Sequence, residues 1–101
     1  MAELVNRATL LVQAQACLAA LQPEGAGETQ PLLTLAIALE STEAAGIALE
    51  IHKQLRLLAL DRQFLVRQRD PQRRAERVAQ IQGRLTLLGR YCEAVADSLT
   101  P

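Results

Sequence analysis

The chain has 101 residues, half of them hydrophobic and 22% charged, with eleven bases set against eleven acids. That length supports one domain with a modest core and not two independent ones. Leu and Ala dominate the apolar set, and only Phe64 and Tyr91 are aromatic, a composition that favours helices and gives strands little support. The longest apolar stretches are interrupted by Glu40, Glu43, Glu50, Lys53 and Arg56, which excludes a membrane span. Glu3 ahead of the first apolar residues is unlike the basic start of a signal peptide. The expectation is a cytoplasmic protein whose Cys17 and Cys92 are reduced thiols, too few with one histidine to build a zinc or iron–sulfur centre. No cofactor or metal is expected.

The first predicted helix runs from about 2 to 21, with Leu4, Ala8, Leu11, Ala14, Leu18 and Leu21 on one stripe. A linker over 23–30 follows, carrying Pro23, Gly25 and Gly27, and stops it. Pro31 suits the first turn of a second helix, since its missing N–H would go unpaired there in any case. The apolar register Leu33, Ile37, Ala44, Ala48, Ile51, Leu55, Leu58 and Leu65 then carries the second helix to about 69. Such a helix would be ~58 Å long at 1.5 Å per residue. Its weak place lies over 40–46, where four polar residues precede Gly46; without a capping box there, a continuous helix with a kink is expected rather than a break. Asp70-Pro71 supplies an N-cap acceptor and a proline at N1, ending the second helix and opening a third over 71–99. Val78, Ile81, Leu85, Leu88, Cys92, Val95 and Leu99 repeat along it in alternating threes and fours, the seam of a helix that lies along another helix.

These elements predict an all-α fold, one domain over 1–101: an antiparallel three-helix up-down-up bundle with a long second helix. A helix outrunning both neighbours leaves apolar surface uncovered, so a homodimer is expected to complete the bundle.

Charge is balanced overall but segregated along the chain. Residues 1–50 carry one base, Arg7, against six glutamates, whereas 51–101 carry ten bases against five acids. Lys53, Arg56 and Arg67 share one flank of the second predicted helix, and Arg73, Arg77 and Arg84 one flank of the third. In an antiparallel hairpin the two flanks would form a basic ridge suited to an acidic protein partner. Nucleic acid fits less well, because net charge is zero and no aromatics are interleaved for stacking. Catalytic patterns are missing: Glu50 and His52 are two apart and face different ways on a helix, Ser41 and Ser98 have no glycine elbow, and the glycines form no phosphate loop. A small helical enzyme of the chorismate-mutase type would use basic side chains between helices, but the key bases would then lie on a long first helix. The expectation is therefore a protein without enzymatic activity.

The stretch His52-Lys53-Gln54-Leu55-Arg56-Leu57-Leu58, then Asp61 and Phe64-Leu65, Arg77, Ala79-Gln80-Ile81, Arg84-Leu85, Leu88 and Tyr91-Cys92-Glu93-Ala94 resembles the C-terminal helical hairpin of PatD-like proteins, small helical proteins of cyanobacteria. The resemblance covers roughly residues 50–95 and carries no catalytic signature. It implies a regulator of heterocyst frequency that associates with the tubulin-like division protein FtsZ and affects its assembly. It also implies that His52, Lys53, Arg56, Arg77, Arg84 and Tyr91 form the partner surface. A small helical export chaperone of the flagellar or type III kind is the alternative, and would work through an exposed apolar groove instead of a basic ridge.

Overall fold

The computed structural model describes residues 2–24 and 27–99, with the side chains of 2–6 and 99 left aside. Four helices follow one another: α1 (Ala2–Ala20), α2 (Gln30–Leu39), α3 (Ala45–Arg67) and α4 (Pro71–Leu99). The all-helical class is as the composition implies. The expected long second helix, however, is two helices. Leu4, Leu99 and Gly25, on which the expected stripe, seam and linker draw, fall outside the described residues or side chains.

The break is made by Thr42. Its hydroxyl donates to the Leu39 carbonyl at 2.7 Å and accepts the Ala44 N–H at 3.1 Å. One side chain thus serves an orphan acceptor at the end of α2 and an orphan donor at the start of α3. Backbone bonds from Thr42 to Leu39 and from Ala45 to Thr42 tighten the turn, which no left-handed residue supports. This is a hydroxyl turn and not a capping box, which is why a search for capping boxes passes over it.

The turn reverses the chain. Glu40 at its start reaches His52 on α3, with Nε2 and Oε1 2.8 Å apart, and Arg62 on α3 donates to the Gly27 carbonyl ahead of α2 at 2.9 Å, so α2 and α3 run antiparallel. Arg7 on α1 grips Glu43 through two N–H bonds of 2.8 and 3.3 Å, while the Cys17 thiol donates to the Glu28 carbonyl at 2.8 Å, which sets α1 antiparallel to α2. The Arg7 guanidinium holds the Glu43 carboxyl below its usual pKa. Leu18 of α1 approaches Gly89 of α4, and Gln22-Pro23 lie by Val78 and Gln82, so α1 and α4 are antiparallel as well. The result is an up-down-up-down ring in which each helix neighbours the next and α4 neighbours α1. The first and last helices, parallel in a three-helix reading, are antiparallel here.

Splitting the helix also resets its phase. On α3 the expected positions Ala48, Ile51, Leu58 and Leu65 are buried. On α2 the buried set is Leu32, Leu35, Ala36 and Leu39, while Ile37, expected in the seam, is 52% exposed. A 3.6-residue period carried through a reversing turn loses register, so one register over 33–65 does not fit both α2 and α3.

Two cores result. The larger gathers Leu11 and Ala14 of α1, Leu21 just after it, the α2 face, the N-terminal half of α3 and Leu88, Cys92 and Val95 of α4. The smaller, Leu58, Leu65 and Ile81 with Val78 and Leu85 packed on it, belongs to α3 and α4 alone. At 29 residues against 19 for α1, α4 runs beyond α1 by about 15 Å, and the molecule measures 51 × 22 × 18 Å. It is a four-helix bundle at one end and a two-helix stem at the other. The premise of the expected dimer, one long second helix outrunning both neighbours, is thus replaced by a folded-back α2 that covers the first half in cis. Asp70 caps α4 as expected, accepting the Gln72 N–H at 2.9 Å, and Arg74 donates to the Leu65 carbonyl at 2.7 Å, serving the C-terminal end of α3.

Thr42→Ala discriminates the two architectures by sign. In a continuous helix, alanine would stabilise by a few tenths of a kcal/mol; in the observed turn the variant loses about 1 kcal/mol, readable as a lower urea midpoint at unchanged slope. A second prediction concerns Cys92, whose thiol is pushed up to about 11, chiefly by burial, with Cys17 and Glu93 adding to it. The unfolded thiol, at the ordinary value of 9.0, ionises first as pH rises. The contribution of this group to stability is therefore complete below pH 9 and is lost between 9 and about 11. Urea midpoints measured at pH 8 and pH 10.5 should fall further for the parent than for Cys92→Val.

Candidate functional site

Along one side of the α3 and α4 interface runs a ladder of polar contacts. The α3 positions Ile51, Gln54, Leu58, Asp61 and Leu65 are spaced three and four apart and all are buried, so Gln54 and Asp61 occupy seam positions among aliphatic neighbours. Arg77, Arg84 and Tyr91 stand seven apart on α4 and meet them. Arg77 Nη1 donates to Asp61 Oδ1 at 2.9 Å, and Arg84 Nε donates to Asp61 Oδ2. Arg84 Nη1 reaches Gln54 Oε1 at 3.3 Å, and the Tyr91 hydroxyl lies 3.4 Å from Glu50 Oε2. Burial, with help from Glu50, raises the Tyr91 pKa. The Asp61 carboxylate, 3% exposed, is therefore met by two cations, the condition under which a buried charge is tolerated.

The ladder decides which arginines are open to a partner. Of the six residues that the resemblance implies, Arg77, Arg84 and Tyr91 are engaged between α3 and α4, and His52 bonds Glu40 across the turn. Lys53 and Arg56 are exposed. The expected ridge of two flanks is thus open on the α3 flank and, on the α4 flank, at Arg73; Arg77 and Arg84 of that flank turn inward.

What lies open on α3 is a single stripe, missed in the sequence because its apolar members were not read together with its bases. Leu49, Lys53, Arg56, Leu60, Phe64 and Arg67 recur at three- and four-residue spacing and therefore share one face. All six are exposed, the apolar three at 70%, 45% and 52% for Leu49, Leu60 and Phe64. The stripe is about 27 Å long, opposite the buried seam, and holds three bases and no carboxylate. Arg77 borders it, its guanidinium carbon 5.0 Å from the centre of the Phe64 ring, so one cation both neutralises Asp61 and holds the ring. Such a face suits an extended partner that offers apolar side chains between acidic ones.

Among the described residues, no group of three His, Cys, Asp or Glu could hold a metal ion, and no helix is long and apolar enough to cross a membrane. The chain matches no family model, no curated protein and no solved structure.

Proposed function

We propose that this chain is a non-enzymatic binding module that engages an acidic, amphipathic segment of a protein partner along the outer face of α3. The observation that carries the reading is the stripe from Leu49 to Arg67, in which exposed apolar residues are interspersed with bases and no acid shares the face. Three large apolar side chains held in water on one helix face are a cost that a partner would remove. The bases would steer an acidic partner and choose its orientation. The resemblance to PatD-like proteins makes FtsZ the first partner to try, with a role in cell division and differentiation. A homodimer, if formed, would present two such faces and cross-link filaments without any chemistry.

The export-chaperone reading draws on a different observation, an open groove of about 490 Å³ between α1 and the linker, walled by Ala16, Cys17, Ala20, Leu21 and Pro31 among others. The two readings fail on different variants.

Arg77 and Arg84 are poor probes of either, because charge reversal there would break the Asp61 ladder and unfold the stem. The informative variants are Lys53→Glu/Arg56→Glu and Leu60→Ala/Phe64→Ala, all on exposed positions where stability changes are small. Co-sedimentation with polymerising cyanobacterial FtsZ is expected to show pelleting that weakens as salt rises, and to lose at least tenfold in affinity in either double variant. Pelleting that survives both variants and fails with Ala16→Asp would shift the reading to the α1 groove. No pelleting at any salt with folded protein would remove FtsZ as the partner.

A further inference from the structure

On the side of α3 and α4 turned away from the core, a groove runs over the polar ladder. Ile81 and Leu88, four residues after Arg77 and Arg84, are buried in the core, so Gln80 and Leu87, three residues after the same arginines, stand on the outward side of that row. Gln80 is exposed and Leu87 half-buried. On α3 the facing row is Glu50, Leu57 and Phe64, seven apart. The contacts of Glu50 with Tyr91 and of Phe64 with Arg77 set the level: Leu57, midway on α3, lies opposite Arg84, midway on α4. Leu57 and Phe64 thus wall the groove on one side, Gln80 and Leu87 on the other. Lys53 and Leu60 of the exposed stripe stand four and three residues from Leu57 and continue the α3 wall.

Gly83 interrupts the α4 wall. It is exposed, three residues after Gln80 and four before Leu87, and nothing within the chain uses it. Its φ is not positive, and a Cβ built on it would meet nothing within 4 Å. Glycine in a helix interior is destabilising relative to alanine, so the residue weakens α4 without serving a turn or a close approach inside the molecule. What it leaves is a hole in the wall near the level of Leu57, of the kind that a side chain of a facing helix fills.

The surroundings choose the occupant. A two-fold contact with a second copy would set the bases of the stripe against themselves with no carboxylate on that face, which opposes a homodimer there. Arg73 and Arg90 of α4 join Lys53 along the groove, against Glu50 and Glu76, so the walls stay net basic and favour an acidic segment. No strand among the described residues offers an edge, and an extended backbone laid over Leu57, Phe64 and Leu87 would leave its N–H and C=O groups unpaired, whereas a helix pairs its own. The walls repeat every seven residues, about 10.5 Å, the repeat of a helix lying along another.

We infer that the partner segment is an amphipathic α-helix that lies in this groove, with an apolar side chain seated at Gly83 between Leu57 and Leu87 and acidic residues turned to Lys53 and Arg56. The inference rests on the reading of the outer face of α3 as a partner surface, and adds the form of the partner and the share of α4 in holding it.

The probe is a fluorescein-labelled peptide of three heptads with Leu at a and d and Glu at e and g, whose glutamates keep it from pairing with itself. It is titrated with the intact protein and followed by fluorescence anisotropy. Saturable binding is expected, at least tenfold tighter than for a peptide of the same composition in scrambled order. Gly83→Leu is expected to raise the urea midpoint of the free protein and to weaken peptide binding at least tenfold; Gly83→Ala raises the midpoint too and weakens binding about threefold. Gln82→Leu, on the side of α4 that lies by Pro23, should leave the affinity unchanged. Binding that is lost in Lys53→Glu/Arg56→Glu but keeps the parent affinity in Gly83→Leu would overturn the groove and retain the α3 face alone. Peptide binding that Lys53→Glu/Arg56→Glu leaves unchanged would count against the α3 face itself. Equal binding of the scrambled peptide, or no saturable binding by folded protein, would overturn the groove as a helix site.

Discussion

The Asp61 carboxylate is the group on which the α3–α4 stem depends. α1 and α2 pack against one end of the molecule, so the stem has only a small aliphatic core, Leu58, Leu65 and Ile81 with two flanking residues. Within it lies a buried negative charge that would be prohibitive alone and is met by Arg77 and Arg84. The desolvation of three charged groups means that the ladder adds less stability than its geometry suggests. Its larger effect is on register: a slip of one heptad along the hairpin would leave Asp61 with one arginine in place of two, beside Tyr91 in one direction and Asp70 in the other. Two helices joined by a short connection and packed through Leu, Ile and Val have several nearly equivalent registers, and a single polar seam position is a known way to select among them.

That constraint propagates outward to function. Because Arg77 and Arg84 are committed to Asp61, the basic character of the second half of the chain is displayed on α3 and not shared evenly between α3 and α4. The same commitment places Arg77 beside Phe64, fixing one end of the apolar and basic stripe. At the other end of the molecule the Thr42 turn does comparable work with neutral groups. It folds α2 back on α3, and the pairs of Arg7 with Glu43 and His52 with Glu40 pin the acidic first half of the chain onto its neighbours. The segregation of charge along the sequence is thus partly consumed in holding the bundle together and partly left on the surface.

Much of the framework was legible in the sequence. Asp70-Pro71 marks the head of α4 because an acceptor before a proline has few other uses, and the Pro and Gly residues of the linker mark the end of α1. The α4 seam is buried or half-buried at every described position. The reversal at 40–44 was not legible as such, since Thr42 acts through hydroxyl bonds to residues two and three away, a pattern that Ser and Thr also show on helix surfaces. A single register over 33–65 follows from a continuous helix, and the observed α2 face, Leu32, Leu35, Ala36 and Leu39, is rotated from it. The inward turn of Arg77 and Arg84 escaped for a different reason. Spacing tells which residues share a flank, but the direction of the flank depends on what the partner helix offers, and the offer was Asp61. Its signal was present: Gln54 and Asp61 sit in threes and fours with Ile51, Leu58 and Leu65, polar residues exactly seven apart in an apolar seam.

The most direct test of this account is a double-mutant cycle on the pair Asp61 and Arg84, with Asp61→Asn, Arg84→Met and the double variant unfolded in urea. The account predicts that the two changes are strongly non-additive, with a coupling of about 2 kcal/mol or more, because Asp61→Asn leaves Arg84 without its carboxylate, Arg84→Met leaves Asp61 with Arg77 alone, and the double variant removes the pair. Additivity within about 0.5 kcal/mol would contradict it: Arg84 would then be a surface cation, the stem would be held by its aliphatic core alone, and the α4 flank would return as part of the basic ridge.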